Sequence, residues 1–131
     1  MNNIDYMVLL DSSKYSMKEK NVLFIGILST TLLDRDLFKK NIDLKEYVNI
    51  YEKLWGIEPY KDYLYDSRPM LMSRIIRDYS RIDDNMERKK CFLIHNQFMI
   101  KKLDIKNTKD IKNNKDKNLL IDMINRNIQD E

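Results

Sequence analysis

The near-absence of glycine limits the folds open to this chain more than any other feature of its sequence. Only Gly26 and Gly56 occur among its 131 residues, and there are only two prolines. β-Sandwiches with many tight turns and glycine-rich phosphate loops both need glycine, because their backbones adopt positive φ angles or approach a ligand closely. Helices have no such need. With 43% hydrophobic and 34% charged residues, the sequence predicts one mainly α domain of four to five helices.

Three local patterns predict where helices begin. Each pairs a capping residue with a glutamate three residues later, as in a capping box, where side-chain and backbone groups satisfy each other in the first helical turn. The pairs are Ser16 with Glu19, Asp43 with Glu46, and Asp84 with Glu87. The first helix should reach about residue 33. Because it is apolar on nearly all sides, we predict that it is the central buried helix.

The second predicted helix has the clearest limits. From Leu44 to Trp55 the apolar residues recur with the 3.6-residue period of a helix, and Gly56 lies where a helix-terminating glycine is expected. A connector follows in which Pro59 can start a short helical turn. Ser67 then caps a third predicted helix over 67–82.

Residues 90–103 are open to two interpretations. The run Cys-Phe-Leu-Ile-His at 91–95 has high β propensity, and Asn96 with Gln97 would form the turn of a hairpin. The same segment also fits a fourth helix that begins near Asn85. A hairpin would make the fold α+β and similar to a winged helix, whereas a helix would leave it mainly α.

The C-terminal part of the chain is predicted to lie apart from the core. Residues 101–117 carry seven lysines against three aspartates, which is typical of a solvated linker. We therefore divide the chain into a helical core domain at 1–104, a Lys/Asn-rich linker at 105–116 and a C-terminal amphipathic helix at 117–129. A helix this short is marginal alone. It should dock on its own domain or pair with a second copy as a homodimer.

A row of arginines gives the main functional hypothesis. Arg74, Arg77 and Arg81 fall within about 60° of each other around the axis of the third helix. Such a row can bind phosphates or guanine edges in a major groove. The predicted nucleic-acid-binding residues are Arg68, Arg74, Arg77, Arg81, Lys89 and Lys90. We expect a small cytoplasmic DNA-binding regulatory protein. The alternative is a solvated helix face whose arginines pair with nearby carboxylates.

The second and third predicted helices resemble known DNA-binding arrangements. Asp-Leu-Lys-Glu-Tyr at 43–47, Leu-Trp-Gly-Ile at 54–57 and Met-Leu-Met-Ser-Arg-Ile-Ile at 70–76 are similar to the layout of SAP-type helix–extended–helix modules. The connector is longer here than in that family. With a hairpin at 90–103, the order of elements would resemble a winged helix instead, with 69–82 as its recognition helix. Both resemblances imply DNA as the partner.

Aromatic residues give a second functional hypothesis, from a different class. The predicted partner-binding residues are Trp55, Tyr60, Tyr63 and Tyr65. Aromatic and arginine side chains dominate the energetics of protein–protein interfaces. The alternative function is therefore a helical protein-interaction module, such as an inhibitor, immunity or adaptor protein.

We expect no catalytic activity, metal or cofactor. Cys91 and His95, four residues apart, would share a helix face. A zinc site needs three or four ligands, so we predict that both are core residues. A single cysteine fits a reducing cytoplasm. The longest apolar run, around 22–33, is interrupted by polar residues and is too short to span a membrane.

Overall fold

The computed structural model describes residues 10–106, and this part of the chain is mainly α, as predicted. From Met17 onward it forms four α-helices and two short 3₁₀ helices, with no strand between residues 10 and 106. The α-helices are α1 (Met17–Leu33), α2 (Lys45–Trp55), α3 (Arg68–Ser80) and α4 (Asn85–Lys106). The 3₁₀ helices are Asn41–Leu44, before α2, and Asp62–Asp66, before α3.

Local capping explains three of the helix boundaries. At the start of α1, Ser16 Oγ accepts a hydrogen bond from Glu19 N at 3.1 Å, and Glu19 Oε1 accepts one from Ser16 N. Ser67 Oγ accepts from Met70 N at the start of α3. Gly56 ends α2 with a φ of 65°, where a Cβ atom would be strained. These predicted caps are confirmed.

The predicted capping box at Asp43 is wrong. Its carboxylate accepts a hydrogen bond from Lys40 N at 3.0 Å, so Asp43 belongs to the 3₁₀ turn that precedes α2. The helix itself begins two residues later, at Lys45. At the third pattern, Asp84 Oδ1 accepts from Met86 N at 2.8 Å, which caps the predicted helix from Asn85.

The hairpin considered for residues 90–103 is also wrong, because α4 continues through the whole segment. Cys91, His95 and Met99 follow one another at four-residue intervals, and all three are buried. This helical spacing points them to one face, and their burial in the core outweighs the β propensity of the run. Without a hairpin, the resemblance to a winged helix fails.

The four helices bury one continuous core. Helix α1 packs against α3 and α4, and α2 packs against α4. At the centre, the ring of Phe24 lies 5.0 Å from those of Tyr79 and Phe92. Helix α1 is not buried all round, however, because Val22 is 68% exposed and Leu33 is exposed on the same helix. Only one face of α1 meets the core.

A chain of hydrogen bonds crosses this core. Tyr51 Oη donates to Tyr47 Oη at 2.9 Å, and Tyr47 Oη lies 2.8 Å from His95 Nδ1. With the tyrosine as donor, His95 carries its proton on the other ring nitrogen. Burial lowers the pKa of His95 to about 3, because the charged imidazolium would lose its hydration.

Residues 107–131 lie outside the described part of the chain. The predicted C-terminal helix at 117–129, the homodimer assigned to it and most of the predicted linker at 105–116 fall there. Helix α4 itself extends to Lys106.

Candidate functional site

A surface pocket of about 470 Å³ lies between α2 and the connector that follows it. Gly56 reverses the chain at the end of α2, and its N–H bonds back to Lys53 O at 3.3 Å. The connector then runs back beside the helix and ends in the second 3₁₀ turn. The pocket is lined by Lys45, Asn49, Glu52, Lys53, Gly56, Ile57, Pro59, Tyr60, Asp62 and Tyr65.

Glu52 is a buried carboxylate in the wall of this pocket. The residue as a whole is only 4% exposed. One oxygen, Oε2, accepts a hydrogen bond from Tyr60 N at 2.5 Å. The other oxygen, Oε1, accepts none from residues 10–103 and is not sealed from solvent. A buried carboxylate normally has partners on both oxygens, so Glu52 retains an acceptor that residues 10–103 do not use.

Tyr60 is fixed at both ends beside this carboxylate. Its backbone N–H binds Glu52, and its hydroxyl donates to Asp78 Oδ2 at 2.6 Å. Burial, followed by the hydrogen bond to Asp78, raises the pKa of Tyr60 well above its usual range. The hydroxyl therefore remains a donor at any physiological pH. The connector is thus tied to both α2 and α3.

The pocket is also lined by a cation of the chain itself. Lys45 Nζ lies 2.9 Å from Asp62 Oδ1 and 5.4 Å from the centre of the Tyr65 ring. An ammonium group is attracted both to a carboxylate and to the face of an aromatic ring. Burial raises the pKa of the Tyr65 hydroxyl, and the nearby Glu52 and Asp62 raise it further.

The four predicted partner-binding residues are not all brought together. Tyr60 and Tyr65 line the pocket, and Tyr63 is 59% exposed on the same 3₁₀ turn as Tyr65. Trp55 instead packs against the core, where its ring lies tilted, 5.4 Å from that of Tyr51, and its Nε1 donates to Cys91 Sγ at 3.3 Å.

The sequence hypothesis did not include Glu52. A signal for it was present, because Glu52 follows Val48 by four residues in α2 and Val48 lies on the buried face. A charged residue on a predicted apolar face has to be satisfied in some other way. Reading the helix face position by position would have identified it.

Two further exposed apolar residues lie on elements next to the pocket. Ile42 is on the first 3₁₀ turn and Met70 is in the first turn of α3. The two 3₁₀ turns contact each other, and the second of them, Asp62–Asp66, also contacts α3. We define the connector surface as the pocket together with Ile42, Tyr63 and Met70. It combines exposed apolar side chains with buried charge.

Arg68 does not lie with the other predicted nucleic-acid-binding residues. It is 2% exposed, and its guanidinium binds the chain segment that leaves α1. Nε donates to Asn41 Oδ1 at 2.8 Å, while the Nη atoms donate to the carbonyl oxygens of Leu32, Asp34 and Phe38. Leu32 O belongs to the last turn of α1, whose carbonyls have no helical partner, and the carbonyls of Asp34 and Phe38 lie in the segment that follows. Arg68 is therefore a structural residue, and its donors are committed within the fold.

The remaining basic residues form a mixed surface rather than a purely positive one. Arg77 and Arg81 are exposed and lie 3.5 and 3.9 Å from the carboxylate of Asp78, while Arg74 is half-buried. Lys89 is exposed, and Lys90 lies 3.1 Å from Glu87. Five predicted residues thus remain near the surface of α3 and the start of α4, with carboxylates between them.

Arg88, which precedes Lys89 and Lys90 in the sequence, has a structural role near this surface. Its Nε donates to Ile82 O at 2.7 Å, and its guanidinium lies 5.2 Å from the centre of the Tyr79 ring. Because it binds carbonyls just after α3, it fixes the corner between α3 and α4.

Cys91 and His95 lie in the core, as predicted, and are not arranged as metal ligands. Burial raises the pKa of the Cys91 thiol to about 11, so the thiolate needed for nucleophilic attack or metal binding is disfavoured. Between residues 10 and 103 no three His, Cys, Asp or Glu side chains gather as metal ligands would.

No helix in the described part of the chain combines the length and the apolar character needed to cross a membrane.

Comparison with protein-family models, curated proteins and solved structures gave no match.

Proposed function

We propose that this protein is a helical interaction module that recognises another protein through its connector surface. The observation that carries the proposal is the pocket of about 470 Å³ with a buried, half-satisfied carboxylate in its wall. Exposed apolar side chains lie on the neighbouring turns. Interfaces commonly combine an apolar contact area with a few well-placed polar anchors. We place the protein in the cytoplasm, where its single cysteine needs no disulfide partner.

The connector surface is also rigid enough to serve as a recognition surface. Hydrogen bonds fix Tyr60 to Glu52 and Asp78, and an ion pair fixes Lys45 to Asp62. Side chains that are already ordered lose less conformational entropy when a partner binds. The cost of association is therefore reduced at this surface.

The proposal is tested by capture of a partner from a lysate of the source cells. The immobilised full-length chain is exposed to nuclease-treated lysate, which removes partners bridged by nucleic acid. We expect a stoichiometric protein partner. Tyr63→Ser should reduce its retention at least tenfold, because exposed aromatic residues act as anchors at interfaces.

Tyr15→Ser is the matched control. Tyr15 is also an exposed tyrosine, at 38%, but it precedes α1 and is not part of the connector surface. Retention should be unchanged in this variant. A partner retained equally by wild type and both variants would refute the assignment of the surface, and the absence of any protein partner would refute the function.

Nucleic-acid binding is the second candidate function, and one observation favours it. Arg77, Arg81 and Lys89 are all exposed near the junction of α3 and α4. Phosphate contacts need exposed cations but no deep pocket. The carboxylate of Asp78 between the two arginines weakens this candidate, because it partly neutralises them.

A salt series of fluorescence anisotropy with random duplex DNA tests the second candidate. Binding through this surface should weaken steeply with salt, since released counterions drive such binding. The double variant R77A/R81A should bind more weakly and with a shallower salt dependence. K39A/K40A removes the same charge from the exposed segment between α1 and α2, so it should not alter the salt dependence. Equal effects of both double variants would contradict a specific basic surface.

A further inference from the structure

The connector pocket contains two pairs of a carboxylate and a tyrosine. In the first, Asp62 and Tyr65 surround the ammonium group of Lys45, at 2.9 Å from the carboxylate and 5.4 Å from the ring centre. In the second, Glu52 and Tyr60 are joined by a hydrogen bond from the Tyr60 backbone. Glu52 forms no ion pair with a cation of residues 10–103. The first pair holds a positive charge of the chain itself, on a carboxylate exposed to solvent.

Glu52 is the better prepared of the two carboxylates for an incoming cation. Its residue is 4% exposed, whereas the side chain of Asp62 is 89% exposed. A charge interaction at a desolvated site is stronger than at a solvated one. Glu52 lines the pocket, its Oε2 is fixed by Tyr60, and its Oε1 accepts no hydrogen bond from residues 10–103. This geometry allows a charge-assisted hydrogen bond without reorganisation of the carboxylate.

The neighbouring lysines do not satisfy Glu52. Lys45 also lines the pocket, but its ammonium is bound to Asp62. Lys53 also lines the pocket, is exposed, and forms no ion pair with a described residue. The pocket volume of about 470 Å³ falls in the range of roughly 300–1,000 Å³ that small-molecule sites occupy. It is therefore large enough for one extended side chain.

We propose that the connector pocket binds an arginine or lysine side chain of the partner protein, with Glu52 Oε1 as the acceptor and the Tyr60 and Tyr65 rings as its walls. This inference rests on the proposed function, since it names the chemistry by which the interaction module selects its partner. Apolar and aromatic walls suit the stem of a long cationic side chain, while the carboxylate binds its charged end.

The test is a titration of the isotope-labelled full-length chain with N-acetyl-arginine amide, followed by NMR. The neutral isostere N-acetyl-citrulline amide is the matched ligand. We expect saturable shifts at the backbone amides of Glu52, Gly56 and Tyr60 with the arginine compound only. Glu52→Gln keeps the size of the side chain and an acceptor for Tyr60 N–H, and it should weaken binding at least tenfold. Glu58→Gln, at an exposed carboxylate of the same connector that does not line the pocket, is the matched control and should leave binding unchanged.

Three results would overturn the inference: no saturable shift in the wild type, equal shifts with the citrulline compound, or equal binding by the Glu52→Gln variant. Failure here and failure of the proposed function can be separated. A partner captured through Tyr63 and retained by Glu52→Gln would preserve the interaction module but refute the cation pocket. Arginine binding without any captured protein would preserve the cation pocket but refute the interaction module.

Discussion

Arg68 and Glu52 are both almost completely buried charged residues, but the fold treats them in opposite ways. The guanidinium of Arg68 donates to an amide oxygen and to three backbone carbonyls, all within the chain. The carboxylate of Glu52 is bound through one oxygen only. A buried charge that the chain itself satisfies fully serves to hold the fold together. A buried charge left half-satisfied beside a pocket has capacity for a ligand.

The comparison separates what neighbouring residues determine from what contacts between distant residues determine. The sequence pattern groups Arg68 with a row of arginines because it is a cation at the start of a basic helix, whereas its role depends on carbonyls from another part of the chain. Glu52 looked ordinary because it lies between Tyr51 and Lys53 in an amphipathic helix. The number of hydrogen bonds that each group makes, rather than its charge or its burial, distinguishes the structural site from the candidate binding site.

The largest expected effect comes from removing the structural charge. Arg68→Ala removes the guanidinium donor from the buried carbonyls of Leu32 and Phe38, and each unsatisfied buried polar group costs roughly 1–3 kcal/mol. We expect a loss of about 3 kcal/mol in the free energy of unfolding, from these carbonyls together with the lost packing of the buried side chain. Urea denaturation followed by circular dichroism measures it. Arg74→Ala, on the same helix but half-buried, is the control and should cost under about 1 kcal/mol.

The His95 imidazole should make the protein sensitive to mild acid. In the folded chain burial lowers its pKa to about 3, against roughly 6.5 in an unfolded chain. Between these values the unfolded chain binds a proton that the folded chain does not, so stability falls as the pH falls from 6.5 towards 3. The expected loss is about 2–3 kcal/mol between pH 6.5 and pH 4.5.

His95→Gln isolates this contribution. A glutamine amide can still accept a hydrogen bond from Tyr47 but does not titrate. The difference in unfolding free energy between wild type and variant should therefore change with pH over this interval. Parallel pH profiles for the two proteins would show that another group causes the acid sensitivity.

The buried hydrogen bonds among Tyr51, Tyr47 and His95 test the same rule on uncharged groups. The stability lost on removing a hydroxyl should increase with the number of its hydrogen-bond partners. Tyr47 accepts from Tyr51 and bonds to His95, whereas Tyr51 only donates. Tyr47→Phe leaves two buried partners unsatisfied and should cost about 2 kcal/mol, while Tyr51→Phe should cost about 1 kcal/mol. Both are measured by urea denaturation at pH 7. Equal costs would mean that the number of lost partners does not decide the energy.

Much of the helical architecture could be predicted from local sequence. Ser16, Ser67 and Gly56 mark helix ends, and the groups they bind lie within a few residues of them. A short stretch of sequence is therefore enough to predict these ends. The capping box predicted at Asp43 is wrong because the carboxylate binds the backbone of the preceding 3₁₀ turn instead. At residues 91–95 local β propensity conflicted with helical burial, and only tertiary packing decided between them.

The candidate site, in contrast, depends on contacts between residues that are far apart in the sequence. Tyr60 reaches Asp78 across 18 positions, and Arg68 reaches Leu32 across 36. Nothing in a local pattern specifies which distant carbonyl or carboxylate a side chain will meet. Sequence reasoning therefore identified the connector tyrosines as unusual, but it did not identify Glu52 or the pocket.

The smallest expected effect on stability is also the most informative one. Glu52→Gln removes a buried charge and keeps an acceptor for the Tyr60 N–H, so two changes in the free energy of unfolding oppose each other. A neutral hydrogen bond is weaker than a charge-assisted one, while the cost of burying an ion disappears. We expect a net change within about 0.5 kcal/mol in urea denaturation, far below that of Arg68→Ala. A loss comparable to that of Arg68→Ala would mean that Glu52 is also a structural residue, and the contrast between the two buried charges would disappear.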